Sequence, residues 1–128
     1  MRIRLVSIMV DDQAKALAFY TDVLAFHTKH DIPMGEFRWI TVTSPDGPDE
    51  LELALEPNVN PAARAFQVAM LEQGIPMTAF ESDDVQADYE QLKAKGVAFT
   101  QGPTTMGTTT IAVFADTCGN LIQIYKNE

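Results

Sequence analysis

The chain has 128 residues, 46% of them hydrophobic and 21% charged, with a formal net charge of −9 at pH 7. That length and apolar content suit one compact domain with its own core, or two small units sharing one, while the acidic balance and the lack of a Lys/Arg cluster exclude a phosphate-tracking nucleic-acid surface and disfavour an anionic membrane face. The single cysteine, Cys118, excludes an internal disulfide framework and a thiolate-rich metal site, and no apolar run approaches the roughly 20 residues needed to span a bilayer.

Residues 3 to 10 alternate, with Leu5, Ser7 and Met9 on one face and Val6, Ile8 and Val10 on the other. Both faces are largely apolar, which predicts a strand covered on both sides. With Arg2 and Arg4 interleaved, this start reads as a strand and not a signal peptide, which points to a cytoplasmic protein. Asp11 or Asp12 can cap the next segment, where Ala14, Leu17, Ala18, Tyr20, Val23 and Leu24 mark a helical stripe. Strands are expected at about 26 to 32, 36 to 43 and 50 to 56, separated by Pro33-Met34-Gly35 and by Ser44-Pro45-Asp46-Gly47-Pro48. In the last of them Leu51, Leu53 and Leu55 point one way while Glu50, Glu52, Ala54 and Glu56 point the other, so one face packs on a helix and the other meets water or a cavity. Pro57 to Pro61 breaks the chain, and Pro61 suits the first turn of a connecting helix that ends before Gly74. A strand at 75 to 82, a helix at 84 to 95 with Val85, Tyr89 and Leu92 facing inward, and strands at 97 to 101, about 108 to 115 and about 120 to 126 complete the chain.

The two halves repeat each other. Leu5-Val-Ser-Ile-Met-Val-Asp11-Asp12 and Met77-Thr-Ala-Phe-Glu-Ser-Asp83-Asp84 stand 72 positions apart, and each leads into a helix. Such self-similarity means two copies of one supersecondary unit, here βαβββ. The fold class is therefore α+β: a single domain of two tandem βαβββ modules, about 1–56 and 75–128, joined by a helical linker at about 57–74. Their strands are expected to form a curved, antiparallel-rich sheet around a cleft, where a ligand would sit.

The opening strand ending in Val10-Asp11-Asp12, the helical Ala16-Leu-Ala-Phe-Tyr-Thr-Asp-Val-Leu24 and the closing Asp116-Thr-Cys-Gly-Asn-Leu-Ile-Gln123 resemble the vicinal oxygen chelate superfamily, which includes glyoxalase I, extradiol dioxygenases, fosfomycin-resistance enzymes and bleomycin-resistance proteins. The resemblance covers essentially the whole chain and speaks more specifically to fold than to function, because the superfamily carries several reactions on one scaffold. It implies a divalent metal in catalytic members, held on the concave face by one residue from the first and one from the fourth strand of each copy. At those stations this chain places Leu5 and Glu52, then Met77 and Gln123, where the enzymes usually place His, Gln or Glu. Leucine has no lone pair, and a thioether is a soft donor ill suited to magnesium, manganese, iron(II) or zinc. Two oxygens are fewer than the three protein ligands usual for catalytic zinc. No metal and no other cofactor is therefore expected, the weaker alternative being a site completed by water, substrate or a second chain.

By strand alternation Leu5 and Met77 would form an apolar floor, joined by Ser7, Met9, Ala79, Leu121 and Tyr125. Glu52 beside such walls is a candidate general base or the anchor for a cationic ligand; equally, it could pair with Arg38 or another base and only satisfy the interior. Phe37 and Trp39 share a face and could stack on a planar ligand or belong to the core, with Arg38 opposite. His27 and His30, three apart, are expected on opposite faces and match no ligand station. Cys118, between Thr117 and Gly119, reads as a turn residue without chemistry. The candidates are thus Glu52 as catalytic residue and Leu5, Ser7, Phe37, Trp39, Met77, Gln123 and Tyr125 as substrate-binding residues. Two functions compete: a binding protein that holds a small organic molecule in an apolar, acidic cleft without a tight metal site, and a divalent-metal-dependent lyase or extradiol-type dioxygenase with a degenerate site. The resemblance also implies a homodimer.

Overall fold

The computed structural model describes residues 1–128. The chain divides into two compact units, Met1–Ala65 and Phe66–Glu128. In the first, β1 (Leu5–Val10) leads into α1 (Gln13–Ala18), which continues as a π-helical turn at Phe19–Val23, and β2 (His27–Met34), β3 (Phe37–Thr43) and β4 (Glu52–Pro57) follow. Asp12 caps α1, its carboxylate accepting the Lys15 N–H at 3.0 Å, as a side-chain acceptor at this position should. The sheet order is β1-β4-β3-β2, with β1 and β4 parallel and the other neighbours antiparallel. Ala16, Phe19 and Tyr20 from the helix and Ile8, Val10, Ile40, Val42 and Leu55 from the strands form its buried core. Each such large side chain, taken out of water, contributes about 1.5–3 kcal/mol.

The connecting helix α2 (Pro61–Glu72) begins in the first unit and ends in the second. The second unit repeats the plan with β5 (Thr78–Glu81), α3 (Val85–Ala94), β6 (Phe99–Met106), β7 (Thr109–Ala115) and β8 (Leu121–Asn127). Its sheet runs β5-β8-β7-β6, again with one parallel pair, β5 and β8. Asp84 caps α3 through the Ala87 N–H at 3.0 Å. Val85, Leu92, Ala112, Phe114, Ile122 and Ile124 are buried, and Tyr89, Phe99 and Phe114 follow in series, the first pair edge-to-face and the second tilted, with ring centroids 4.7 and 5.6 Å apart. The architecture is thus α+β, two βαβββ modules each with a four-stranded mixed sheet. No helix is long and apolar enough to cross a membrane.

One local expectation fails. β1 is not covered on both faces: Leu5 and Val6 are each 47% exposed, and only Ile8 and Val10 are buried. β1 is an edge strand with β4 as its only sheet neighbour, so one side of it carries no strand cover.

The two copies differ by compensating single residues. Asp84 lies 12 positions before Gly96, the left-handed residue that closes α3 at φ +89°, whereas Asp12 lies 13 before its counterpart Ala25 at φ +62°. The extra residue is absorbed in the π-helical turn, as one-residue insertions in helices commonly are. The balance is restored further on: β2 has one bulge against β3, between Thr28 and His30, while β6 has two against β7. By the hairpin tips Gly35 and Gly107 the copies are 72 apart again.

Candidate functional site

The alternation of β1 and β4 sorts side chains onto a helix-covered face and an open face. Leu5, Ser7 and Met9 are opposite Glu52, Ala54 and Glu56 in the parallel ladder, so all six share the open face. The β3–β4 ladder sets Thr41 opposite Ala54, which brings Phe37, Trp39, Thr41 and Thr43 to the same face. Through β2, opposite Thr41, Trp39 and Phe37, come His30, Ile32 and Met34. The four expected residues of the first unit, Leu5, Ser7, Phe37 and Trp39, therefore lie on one sheet face with Glu52. Leu5 and Ser7 are exposed, Phe37 is 38% exposed and Trp39 is half-buried.

Glu52 is the polar centre of this face. Its Oε1 accepts from the buried Thr41 hydroxyl at 2.8 Å and lies 3.4 Å from His30 Nε2, and its Oε2 lies 3.7 Å from the Lys29 ammonium. Lys29 also donates to the Asp49 carbonyl at 2.9 Å. The carboxylate keeps 20% of its surface exposed. Arg38 is not its partner: it lies on the covered side of β3 and makes a two-point contact with Asp31 at 2.7 and 3.0 Å. The hydrogen bond from Arg38 holds the Asp31 carboxyl below its ordinary value, and Asp31 in turn raises the guanidinium.

Lys29, His30 and Thr41 gather around Glu52, a grouping that sequence reasoning missed. A spacing of three sets His27 and His30 on opposite faces of a regular strand, but the bulge between Thr28 and His30 changes the count. His27 faces Thr43 and His30 faces Thr41, positions of one parity, so both fall on the open side. Nothing in the sequence marks that bulge. Thr41 was visible in principle, since it shares alternation with Trp39.

In the second unit, Met77 precedes β5 and donates its N–H to the Leu121 carbonyl at 2.8 Å, while Gln123 is opposite Ala79 and Val113, and Tyr125 opposite Glu81 and Ile111. Met77, Gln123 and Tyr125 are half-buried. The two pairs of expected metal stations are not equivalent in register. Leu5 pairs directly with Glu52, whereas the residue level with Met77 is Leu121, and the residue of the first unit level with Gln123 is Ala54.

Donor chemistry decides whether these stations fit a divalent ion. Leu5 offers no donor and Met77 only a thioether, which leaves the oxygens of Glu52 and Gln123. No three of His, Cys, Asp and Glu gather anywhere in the molecule. Two oxygen donors at the four stations are fewer than the three protein ligands usual for catalytic zinc, so those stations do not fit a chelated divalent metal.

The closing Asp116–Asn120 segment is structural. Asp116 is fully buried, with Oδ1 accepting the N–H groups of Cys118 at 2.8 Å and Asn120 at 3.1 Å, and Oδ2 accepting the Asn120 amide at 2.9 Å. Gln67 of α2 donates to the Cys118 carbonyl and to Asn120 Oδ1 at 3.2 and 3.1 Å. A Cβ on Gly119, at φ +100°, would come within 2.8 Å of the Gln67 amide, so the turn needs glycine there. Cys118 is fully buried within it.

Comparison with known proteins identifies the family and the fold. A family model described as Glyoxalase/Bleomycin resistance protein/Dioxygenase superfamily matches residues 2–124. The chain is 56% identical over 126 residues to the uncharacterized protein YurT of Bacillus subtilis (strain 168), covering 98% of this chain and 99% of that one. Among solved structures it is similar to UcmS2, with 34% identity, a TM-score of 0.84 and coverage of 98% and 97% of the two chains. It is also similar to TnmS3, an antibiotic binding protein from Streptomyces sp. CB03234, with 26% identity, a TM-score of 0.76 and coverage of 100% and 97%.

Proposed function

From the premise that the chain belongs to the glyoxalase/bleomycin resistance protein/dioxygenase superfamily, we propose that it binds a small organic molecule on the open face around Glu52 without a tight metal site. The observation that carries this reading is the setting of Glu52: a carboxylate held by Thr41, His30 and Lys29 and bordered by Leu5, with Phe37 and Trp39 further along the same face. Apolar and aromatic surface with a few placed polar groups is the composition of a ligand site. The likeness to an antibiotic binding protein supports it. In this reading Leu5, Phe37 and Trp39 make the apolar contacts, Ser7 offers a hydroxyl, and Glu52 orients a polar or cationic group. The net charge of −9 favours cations. Met77, Gln123 and Tyr125 of the second unit are proposed as further ligand contacts, a homodimer is implied by the family resemblance, and a cytoplasmic location is part of the same proposal.

Trp39 is the only tryptophan, so ligand arrival on this face is directly readable. A flat aromatic cation such as proflavine is expected to quench Trp39 fluorescence with saturation, and Phe37→Ala to weaken its binding about tenfold, in line with one lost aromatic contact of about 1.4 kcal/mol. Saturable binding that leaves Trp39 unquenched and is indifferent to Phe37→Ala would place the ligand elsewhere.

A further inference from the structure

Gln13 makes contacts that neither the core nor Glu52 explains. From the first turn of α1 its Nε2 donates to the Arg38 carbonyl at 2.6 Å and to the Leu55 carbonyl at 2.9 Å, and its Oε1 accepts the Arg38 N–H at 3.0 Å. One carboxamide thus satisfies both backbone groups of a single β3 residue, which is what an adjoining strand ordinarily does.

The strand that should do so has left. The β3–β4 ladder holds only Thr41 with Ala54 and Val42 with Leu53; continued in register it would set Arg38 opposite Pro57. Pro57 has no N–H to give, and β4 there follows β1, with Pro57 opposite Val10. In the second unit no such parting occurs. β7 and β8 pair without a break from Thr109 with Asn127 to Ala115 with Leu121, and Thr110, the counterpart of Arg38, is paired with Lys126. The counterpart of Gln13, 72 positions on, is the buried apolar Val85. A hydrogen-bonding side chain is present in the unit whose strands part and absent from the unit whose strands stay together.

Arg38 lies between Phe37 and Trp39. We infer that Gln13 is a positioning residue of the ligand face: it replaces the missing β4 rungs beside Arg38, and so fixes where Phe37 and Trp39 stand relative to Glu52. This rests on the ligand-binding reading for its functional consequence and on the hydrogen bonds alone for its structural one. Without the clasp, the Arg38 N–H and the two carbonyls lose their partners, and the β2–β3 hairpin beyond Thr41 keeps no bond to the rest of its sheet through β4.

The test compares the unmodified protein with Gln13→Leu by hydrogen exchange, by acrylamide quenching of Trp39 and by proflavine titration. The Arg38 amide is expected to be protected in the unmodified protein and to exchange at least about tenfold faster in the variant, the cost of one or two hydrogen bonds. Trp39 quenching should change and proflavine affinity fall about tenfold, while the amides of Phe114 and Ile122 in the second unit keep their protection. An Arg38 amide that exchanges freely in the unmodified protein would overturn the inference whether or not the variant folds. So would faster Arg38 exchange in the variant with both Trp39 quenching and proflavine affinity unchanged. If proflavine fails to bind the unmodified protein, the ligand reading fails by itself, and acrylamide quenching of Trp39 then decides whether Gln13 positions this face: a changed quenching constant supports it and an unchanged one overturns it.

Discussion

At the scale of single residues, environment and not residue type separates the carboxylates of the first unit. Glu52 and Asp31 each meet a base, but Asp31 makes a half-exposed two-point contact with Arg38, whereas Glu52 is met by a buried hydroxyl and two more distant bases. Because the folded-state value of Asp31 is depressed, whatever this pair contributes to stability is complete above the ordinary value of 3.8 and is lost as pH falls through the lowered folded value. Arg38→Ala should return the Asp31 carboxyl to the ordinary range, which an NMR titration of its side-chain carboxyl carbon would show; an unmoved midpoint would mean that the guanidinium is not the cause. The strand face on which Glu52 lies was legible in the sequence, from its alternation with Leu51 and Leu53. The partners of Glu52 were not, since Arg38 has the right charge for the role and is excluded only by strand parity.

At the scale of elements, most of the chain was readable because its signals are local. Asp12 and Asp84 fall where helix caps belong, and both cap; Pro61 opens α2, and Gly74 follows its end at φ +70°. Features that depend on counting residues between elements were hidden. The π-helical turn and the bulge that redirects His30 each alter register by backbone conformation, and the parting of β3 from β4 is marked only by Pro57. Ala25 is the visible trace of the first: the extra residue ends on a left-handed position filled by alanine where the second copy has Gly96. Ala25→Gly should therefore stabilise the protein by about 0.5–1 kcal/mol, the strain of a Cβ at positive φ outweighing the added freedom of the unfolded chain. Urea unfolding measures this directly, and an unchanged or lowered midpoint would show that Ala25 is not strained.

At the scale of the whole molecule, duplication has left two units with one plan and different detail. The first has a sheet whose inner strands part and a polar cluster around Glu52; the second has an unbroken β7–β8 ladder and the buried Asp116 turn. The superfamily was legible in the repeat and in the closing motif, because these record the scaffold. The activity was not, because it depends on a few side chains whose grouping is set by register. The central claim, ligand binding without a chelated metal, is tested most directly by calorimetric titration of chelator-treated protein with nickel, manganese, iron(II) and zinc, repeated with Glu52→Gln. The account predicts no saturable heat at micromolar metal in either protein. Micromolar binding that disappears in Glu52→Gln would contradict it and restore a metal-dependent lyase or dioxygenase.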